Sequence, residues 1–407
     1  MRPTIEYWFD FSCPFAYLGS AVVEDMAARV NAKLVLKPML LGGIFRALAV
    51  PQNLAASVGV SKARHNLNDM YRYARLWDLP FVMPANHPIR TVNALRAVLA
   101  AGEPYNTLMH AFFRAYWVDS VDVSSDENIA RILTENGYDA TAIIAKSQTQ
   151  EIKSRLRELT DTALSKGVFG APGIFVDGEL YWGQDRIQTV ESYLSGENLE
   201  VTYADKLETP VEFYFDYSSP FAYLAFRRLR GFFGDAVLYR PMFLGSVWKA
   251  VNPRALSASD NPAKYNYMGH DFRRQAAASG VQQTWPSVFP ARTALPLRVT
   301  LLANNDRGLI ESIFEAYWRH GKDISQPETL QQICDIRDLD GKALVEKAQS
   351  EPAKKRLREV TQIAIDNGVF GAPTVIVSRD NNESSLYWGS DRLWMAARAA
   401  RGDSRVF

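Results

Sequence analysis

Phe9-Asp10-Phe11-Ser12-Cys13-Pro14-Phe15-Ala16-Tyr17-Leu18 returns almost unchanged as Phe215-Asp216-Tyr217-Ser218-Ser219-Pro220-Phe221-Ala222-Tyr223-Leu224. Further pairs keep the same order. Pro38-Met39-Leu40-Leu41-Gly42 matches Pro241-Met242-Phe243-Leu244-Gly245, and Ala115-Tyr116-Trp117 matches Ala316-Tyr317-Trp318. Gly167-Val168-Phe169-Gly170-Ala171-Pro172 matches Gly368-Val369-Phe370-Gly371-Ala372-Pro373, and Trp182-Gly183-Gln184-Asp185-Arg186 matches Trp388-Gly389-Ser390-Asp391-Arg392. The period is the size of a domain, so the 407 residues read as one folding unit duplicated, not as a solenoid of small repeats. The polar stretches Ser195-Gly196-Glu197-Asn198 and Glu208-Thr209-Pro210 mark the boundary. The expected organisation is a first domain over 1–199, a linker over 200–209 and a second domain over 210–407. A fused pair of this kind suggests an intramolecular pseudo-dimer.

Each copy reads alike. A strand (Ile5 to Phe11, Val211 to Tyr217) runs into a helix that opens at Pro14 or Pro220, where the missing proline N–H costs nothing. A second strand precedes Pro38 or Pro241. Amphipathic helical runs follow, among them Val92 to Leu99, Leu108 to Trp117 and Ile152 to Leu164. Gly173 to Val176 and Thr374 to Val377 are short apolar strands. Asp177-Gly178 is a two-residue hairpin signal before Leu180 to Trp182, and the second copy carries the longer Arg379 to Ser384 loop. Strand, helix, strand, helical stretch, hairpin and last helix predict an α/β class: two tandem thioredoxin-like domains, each with an all-helical insertion.

Composition narrows the partners. Lys plus Arg number 46 and Asp plus Glu 45, so no net positive field gathers nucleic acid or anionic lipid, and a small-molecule substrate is expected. No apolar run reaches the roughly 18 residues of a membrane span. Two cysteines, Cys13 and Cys334, stand in different halves, which argues against a disulfide framework and for a reducing compartment. The start Met1-Arg2-Pro3-Thr4 lacks a secretory pattern, and a cytoplasmic location is expected. The histidines His65, His87, His110, His270 and His320 show no metal-ligand spacing, so no metal is expected.

Three signals point to chemistry. First, Cys13 and Ser219 occupy the residue before the helix-opening proline, where free N–H groups and the helix dipole favour an anion. Ser219 reads either as a helix cap or as a hydroxyl donating to a bound thiolate. Cys13 reads either as a small buried hydrophobe or as a thiol of lowered pKa. Second, Ala171-Pro172 and Ala372-Pro373 enter a strand, and a cis bond there turns the alanine N–H and C=O outward for a peptide-like ligand. Third, Gln184-Asp185 and Ser390-Asp391 open the last helix, where Asp receives an ammonium while helix N–H groups receive a carboxylate; helix capping is the plainer reading. Arg186 and Arg392 are expected to form structural pairs. Tyr71, Tyr73 and Trp77 share one helix, either in the core or lining an aromatic pocket.

Phe-Asp-x-x-Ser-Pro-Phe, Val-Phe-Gly-x-Pro and Gly-x-Asp-Arg-Leu, in that order, resemble the kappa-class glutathione transferase and 2-hydroxychromene-2-carboxylate isomerase family, which has a DsbA-like thioredoxin fold. The likeness covers the chain twice. It implies glutathione as cofactor, with Ser219 at its sulfur, Ala372 beside Pro373 at its cysteinyl backbone, and Ser390 with Asp391 at its γ-glutamyl group. Asn252 and Lys264 match an Asn-x-Pro segment and a downstream lysine of the family. In the first copy the same roles fall on Ala171, Pro172, Gln184 and Asp185. There Cys13 replaces the serine, Ala49-Val50-Pro51 stands where the asparagine belongs, and Lys62 matches the lysine.

The resemblance implies an isomerase acting on an unsaturated aromatic carbonyl compound in aromatic catabolism, with catalysis at Ser219 or Cys13. Alternatives are conjugation as a glutathione transferase, thiol-disulfide exchange through Cys13, or one silent domain serving as a scaffold.

Overall fold

The computed structural model describes residues 2–53, 57–197, 202–203, 205, 207, 209–251, 261–379 and 383–407. Much of 200–209 therefore lies outside the described residues. Contacts divide the chain into two compact units. Unit 1 holds Met1–Ser57, Asn68–Leu199 and Leu256–Tyr267; unit 2 holds Val58–Leu67, Glu200–Ala255 and Met268–Phe407. Among the described residues, no helix is long and apolar enough to cross a membrane.

In unit 1, β1 (Thr4–Phe9), α1 (Pro14–Arg29), β2 (Lys33–Pro38) and α2 (Leu41–Ala47) come first. The helical insertion is α3 (Val60–Leu76), α4 (Val92–Ala101), α5 (Asn106–Trp117), α6 (Asp126–Glu135), α7 (Ala140–Ser147) and α8 (Gln150–Ser165). Helix α3 crosses the division, its first residues through Leu67 belonging to unit 2. The hairpin β3 (Gly173–Val176) and β4 (Glu179–Trp182) and the helix α9 (Ile187–Ser195) close the unit. The sheet order is β2-β1-β3-β4, with β1 parallel to β2 and antiparallel to β3. Asp177 and Gly178 both take positive φ (50° and 82°), the requirement of the tight hairpin turn that their sequence predicts.

Unit 2 repeats the plan with β5 (Val211–Phe215), α10 (Pro220–Phe233), β6 (Val237–Pro241) and α11 (Leu244–Val251). Its insertion is α12 (Pro262–Ala278), α13 (Ala294–Leu302), α14 (Arg307–Trp318), α15 (Pro327–Asp335), α16 (Gly341–Ala348) and α17 (Glu351–Asp366), followed by β7 (Thr374–Ser378), β8 (Ser384–Trp388) and α18 (Leu393–Ala400). The order β6-β5-β7-β8 is the same. Helix α12 also crosses the division, its residues through Tyr267 belonging to unit 1. In unit 2 the core between sheet and helices joins Tyr214, Met242, Leu244, Val247, Ala364, Val369 and Ile376.

The first strand of each unit stops two residues earlier than its apolar run suggests, at Phe9 and Phe215. The cause is the next residue, an aspartate whose carboxylate folds the chain into a turn.

Candidate active site

Asp10 is buried, and its carboxylate accepts the backbone N–H of Ser12 (2.9 Å), the Ser12 hydroxyl (3.0 Å), the Leu41 N–H (2.7 Å) and the Thr91 hydroxyl. Asp216 does the same with Ser218 (2.9 Å from both N and Oγ) and Leu244 N (2.8 Å), and Thr293 is a further donor. Burial raises both aspartate pKa values, and the donated hydrogen bonds offset it in part. Each aspartate joins the loop before the first helix to the start of the next helix. The same loop is pinned from the insertion by an indole: Trp117 Nε1 donates to the Phe11 carbonyl and Trp318 Nε1 to the Tyr217 carbonyl, both at 2.8 Å. These bonds explain why Asp and Ala-Tyr-Trp recur in both copies. They fix the position of residues 13 and 219.

Those two residues make one contact in common and differ in another. Ser219 Oγ donates to the Ala372 carbonyl at 2.9 Å and accepts the Ala222 N–H at 3.1 Å, so the hydroxyl caps α10 and holds the strand-entry segment together. Cys13 Sγ donates to the Ala171 carbonyl at 3.1 Å, and α1 has no side-chain cap. The expectation of a lowered thiol pKa fails here. Desolvation pushes the buried Cys13 thiol up to about 12, outweighing the N–H groups of Ala16 and Phe15 that pull it down.

Ala171-Pro172 and Ala372-Pro373 are both cis. Their alanine carbonyls do not face outward as expected, because each is taken by residue 13 or 219. The N–H groups differ from the carbonyls: among the described residues, neither Ala171 nor Ala372 donates its N–H to a protein acceptor.

The hairpin brings the third segment alongside. Gly183 N–H donates to the Pro172 carbonyl and Gly389 N–H to that of Pro373, both at 3.0 Å. Gly183 and Gly389 have φ near 105°, and a β-carbon on either would meet the Asp185 or Asp391 carboxylate at 2.4 Å, so only glycine fits. Gln184–Arg186 and Ser390–Arg392 form a 3-10 turn ahead of the last helix rather than its first turn. Asp185 pairs with Arg186 (3.2 Å) and Asp391 with Arg392 (3.3 Å), as the structural reading of the arginines expects. Gln184 and Ser390 are buried, and Ser390 Oγ donates to Gln275 Oε1 at 2.9 Å.

Trp182 and Trp388, at the strand ends next to these turns, carry the cations. In unit 1 the Lys264 ammonium lies 5.4 Å from the Trp182 ring, Tyr267 packs against Phe169 and Trp182, and the Tyr267 hydroxyl accepts the Trp182 backbone N–H at 3.0 Å. In unit 2 the Lys62 ammonium lies 5.1 Å from the Trp388 ring, and His65 packs against Phe370 and Trp388. Each lysine thus stands in the unit opposite to the repeat that encodes it. Gly170 and Gly371 admit the tryptophans, since a β-carbon on either would fall 2.6 or 2.5 Å from the indole nitrogen.

The DSBA-like thioredoxin domain model matches residues 4–195 and again 210–400. The chain belongs to this family, twice over. The 2-hydroxychromene-2-carboxylate isomerase of Sphingobium xenophagum is 27% identical over 196 residues, which are 48% of this chain and 99% of that protein. Glutathione S-transferase kappa 1 of Rattus norvegicus is 29% identical over 210 residues, 47% of this chain and 91% of that protein. A solved structure of a 2-hydroxychromene-2-carboxylate isomerase aligns with a TM-score of 0.43 at 22% identity, covering 47% of this chain and 95% of its own.

Within the DSBA-like domains, the structure brings Ser219, Ala372, Pro373, Ser390 and Asp391 to one end of the unit 2 sheet, with Cys13, Ala171, Pro172, Gln184 and Asp185 in the same places in unit 1. Asn252 lies outside the described residues. Tyr73 is buried against Trp77, and Tyr71 packs on Phe81, so the helix α3 aromatics serve packing. Among the described residues, no His, Cys, Asp and Glu cluster fit for a metal is present. Asp10, Asp216, His65 and Tyr267 carry site geometry that the motif reading passed over. The recurrence of Asp in both copies was the available signal for the first two; no local signal marks the others.

Proposed function

We propose that unit 2 binds glutathione across the start of α10, the Ala372-Pro373 segment and the Ser390–Arg392 turn, and that the protein is a glutathione-dependent isomerase of the 2-hydroxychromene-2-carboxylate isomerase type. The observation that carries this reading is Ala372, whose N–H has no protein acceptor among the described residues while its carbonyl holds the Ser219 hydroxyl. A tripeptide laid along the strand entry supplies the matching backbone carbonyl. Rotation of the Ser219 hydroxyl from the Ala372 carbonyl to the ligand sulfur keeps its bond from the Ala222 N–H, so the same residue caps the helix and donates to sulfur. The positive end of the α10 dipole favours negative charge on that sulfur. When bound, glutathione supplies a thiolate that adds to the unsaturated carbonyl compound and is later eliminated, a bond rotating in between. Asp391 meets the γ-glutamyl ammonium, and the helical insertion shapes the second substrate's pocket.

For unit 1 the buried Cys13 favours a supporting role over thiol-disulfide exchange, because a thiol that donates to Ala171 and stays neutral is a poor nucleophile. Calorimetric titration with glutathione, coupled to turnover of 2-hydroxychromene-2-carboxylate, tests the reading. Binding in the wild type, weakened about tenfold by Ser219→Ala with a larger loss of turnover, is the expected result. A wild type that binds no glutathione sinks it.

A further inference from the structure

Ser390 opens the turn that carries Asp391, and unit 2 holds this short segment from three sides. Gly389, just before it, donates its N–H to the Pro373 carbonyl, Arg228 on α10 donates to the Ser390 carbonyl at 2.9 Å, and the Ser390 hydroxyl donates to Gln275 Oε1 on α12 at 2.9 Å. The first two bonds end on backbone carbonyls. The third joins two side chains, and the other copy does not repeat it. Asp69 and Arg72 return as Asp271 and Arg274, but the residue that follows is Tyr73 in the first copy and Gln275 in the second. In unit 1 Tyr73 is buried against Trp77, and the turn carries an amide of its own, Gln184, where unit 2 has the shorter serine.

The direction of the Ser390 bond is settled one turn back along α12. Gln275 Nε2 donates to Asp271 Oδ2 at 2.7 Å, and a carboxylate accepts from the NH2 end of an amide. Asp271 is buried, with the Arg274 guanidinium 3.7 Å away. The amide oxygen is thereby turned to Ser390, and the serine proton goes to it. Ser390 is buried, so a loss of that acceptor leaves its hydroxyl unsatisfied and loosens the turn. The Asp391 carboxylate lies over Gly389 and 3.3 Å from Arg392, within the same turn, and its place follows that of the serine.

We propose that Gln275 is a positioning residue for the amino end of the ligand: it fixes Ser390, and through Ser390 the Asp391 carboxylate that meets the γ-glutamyl ammonium. This rests on the glutathione reading above and adds to it a residue that sets selectivity for the charged amino group. Gln275 acts through the serine, not by contact with the reacting sulfur. Tyr73 cannot do the same for unit 1, where its ring packs on Trp77.

The experiment compares glutathione with glutaryl-cysteinylglycine, the same tripeptide without its amino group, by calorimetry on the full-length protein, and reads the binding event that Ser219→Ala weakens. Gln275→Met, close in length and without the amide, weakens glutathione about tenfold and leaves the amino-free ligand within twofold of its wild-type affinity. Turnover shows the same split: KM for glutathione rises while kcat at saturation stays within twofold. Ser390→Ala produces the same selective loss, and Gln275→Met adds nothing in the Ser390→Ala background. Ser390→Ala removes a single oxygen and reads the link from its other end where Gln275→Met does not fold. Equal loss of both ligands, unchanged glutathione affinity, or additivity of the two substitutions overturns the proposal. Absence of all glutathione binding in the wild type is a separate result, and it removes the functional reading itself.

Discussion

In unit 1 the residue ahead of the first helix gives its single proton to the Ala171 carbonyl and leaves the helix uncapped; in unit 2 a hydroxyl at the same place gives its proton to Ala372 and also accepts a helix N–H. The surrounding frame is shared: an aspartate lock, an indole pin, a cis-proline and a glycine under an aspartate. The difference teaches that one backbone frame accepts a hydroxyl or a thiol ahead of the helix, while only the hydroxyl caps it. Oxygen keeps an acceptor free for the backbone while its donor is shared, and a buried thiol has little acceptor strength to offer.

The sharpest break of this comparison is a rate. At pH 8, alkylation of Cys13 by iodoacetamide in the folded protein should run roughly 10³-fold slower than that of an unperturbed thiol, rising about tenfold per pH unit toward 12. Fast labelling at neutral pH contradicts the buried, neutral thiol. Next in size is the shared frame. Asp10→Ala and Asp216→Ala should each cost about 3 kcal/mol in urea unfolding, since each strands several buried donors. A cost in one unit without the other means that the frames are not equivalent.

The third effect depends on pH. The Cys13 pKa is raised in the folded chain, so the stability that it contributes is complete below the unfolded thiol value and is lost as pH rises through the folded value. Relative to Cys13→Ser, the wild type should lose about 1.5 kcal/mol between pH 8 and pH 10. Parallel stability curves for the two proteins over that range would refute this. The smallest effect converts one unit into the other: Cys13→Ser near neutral pH should add about 1 kcal/mol by capping α1 as Ser219 caps α10, and Ser219→Cys should remove a similar amount. Chemical denaturation of the pair decides it.

What the residues disclose ahead of the fold depends on how far apart the interacting groups lie in the chain. Asp177-Gly178, Pro14 and Pro220 act on their immediate neighbours, and the turn and helix starts come out where they are expected. The two matched copies, taken together, reveal the strand-helix order because duplication marks which positions are tied to the fold. The Asp10 lock is less legible, since its partners Leu41 and Thr91 lie far along the chain. The thiol pKa is not legible at all: the helix start argues for lowering, and burial, known only from packing, reverses it. The lysines fall in the same class. Nothing local in α3 or α12 tells which unit their first turns will join.

Those shared helices bear on how the molecule was able to change after its gene doubled. Two independent domains in tandem allow one to decay, and deletion of the spare restores a working half. Here a cut between the copies separates residues 58–67 from unit 2 and residues 261–267 from unit 1. A substitution in either of those turns changes the packing of the unit encoded mainly by the other repeat, beside Trp388 or Trp182.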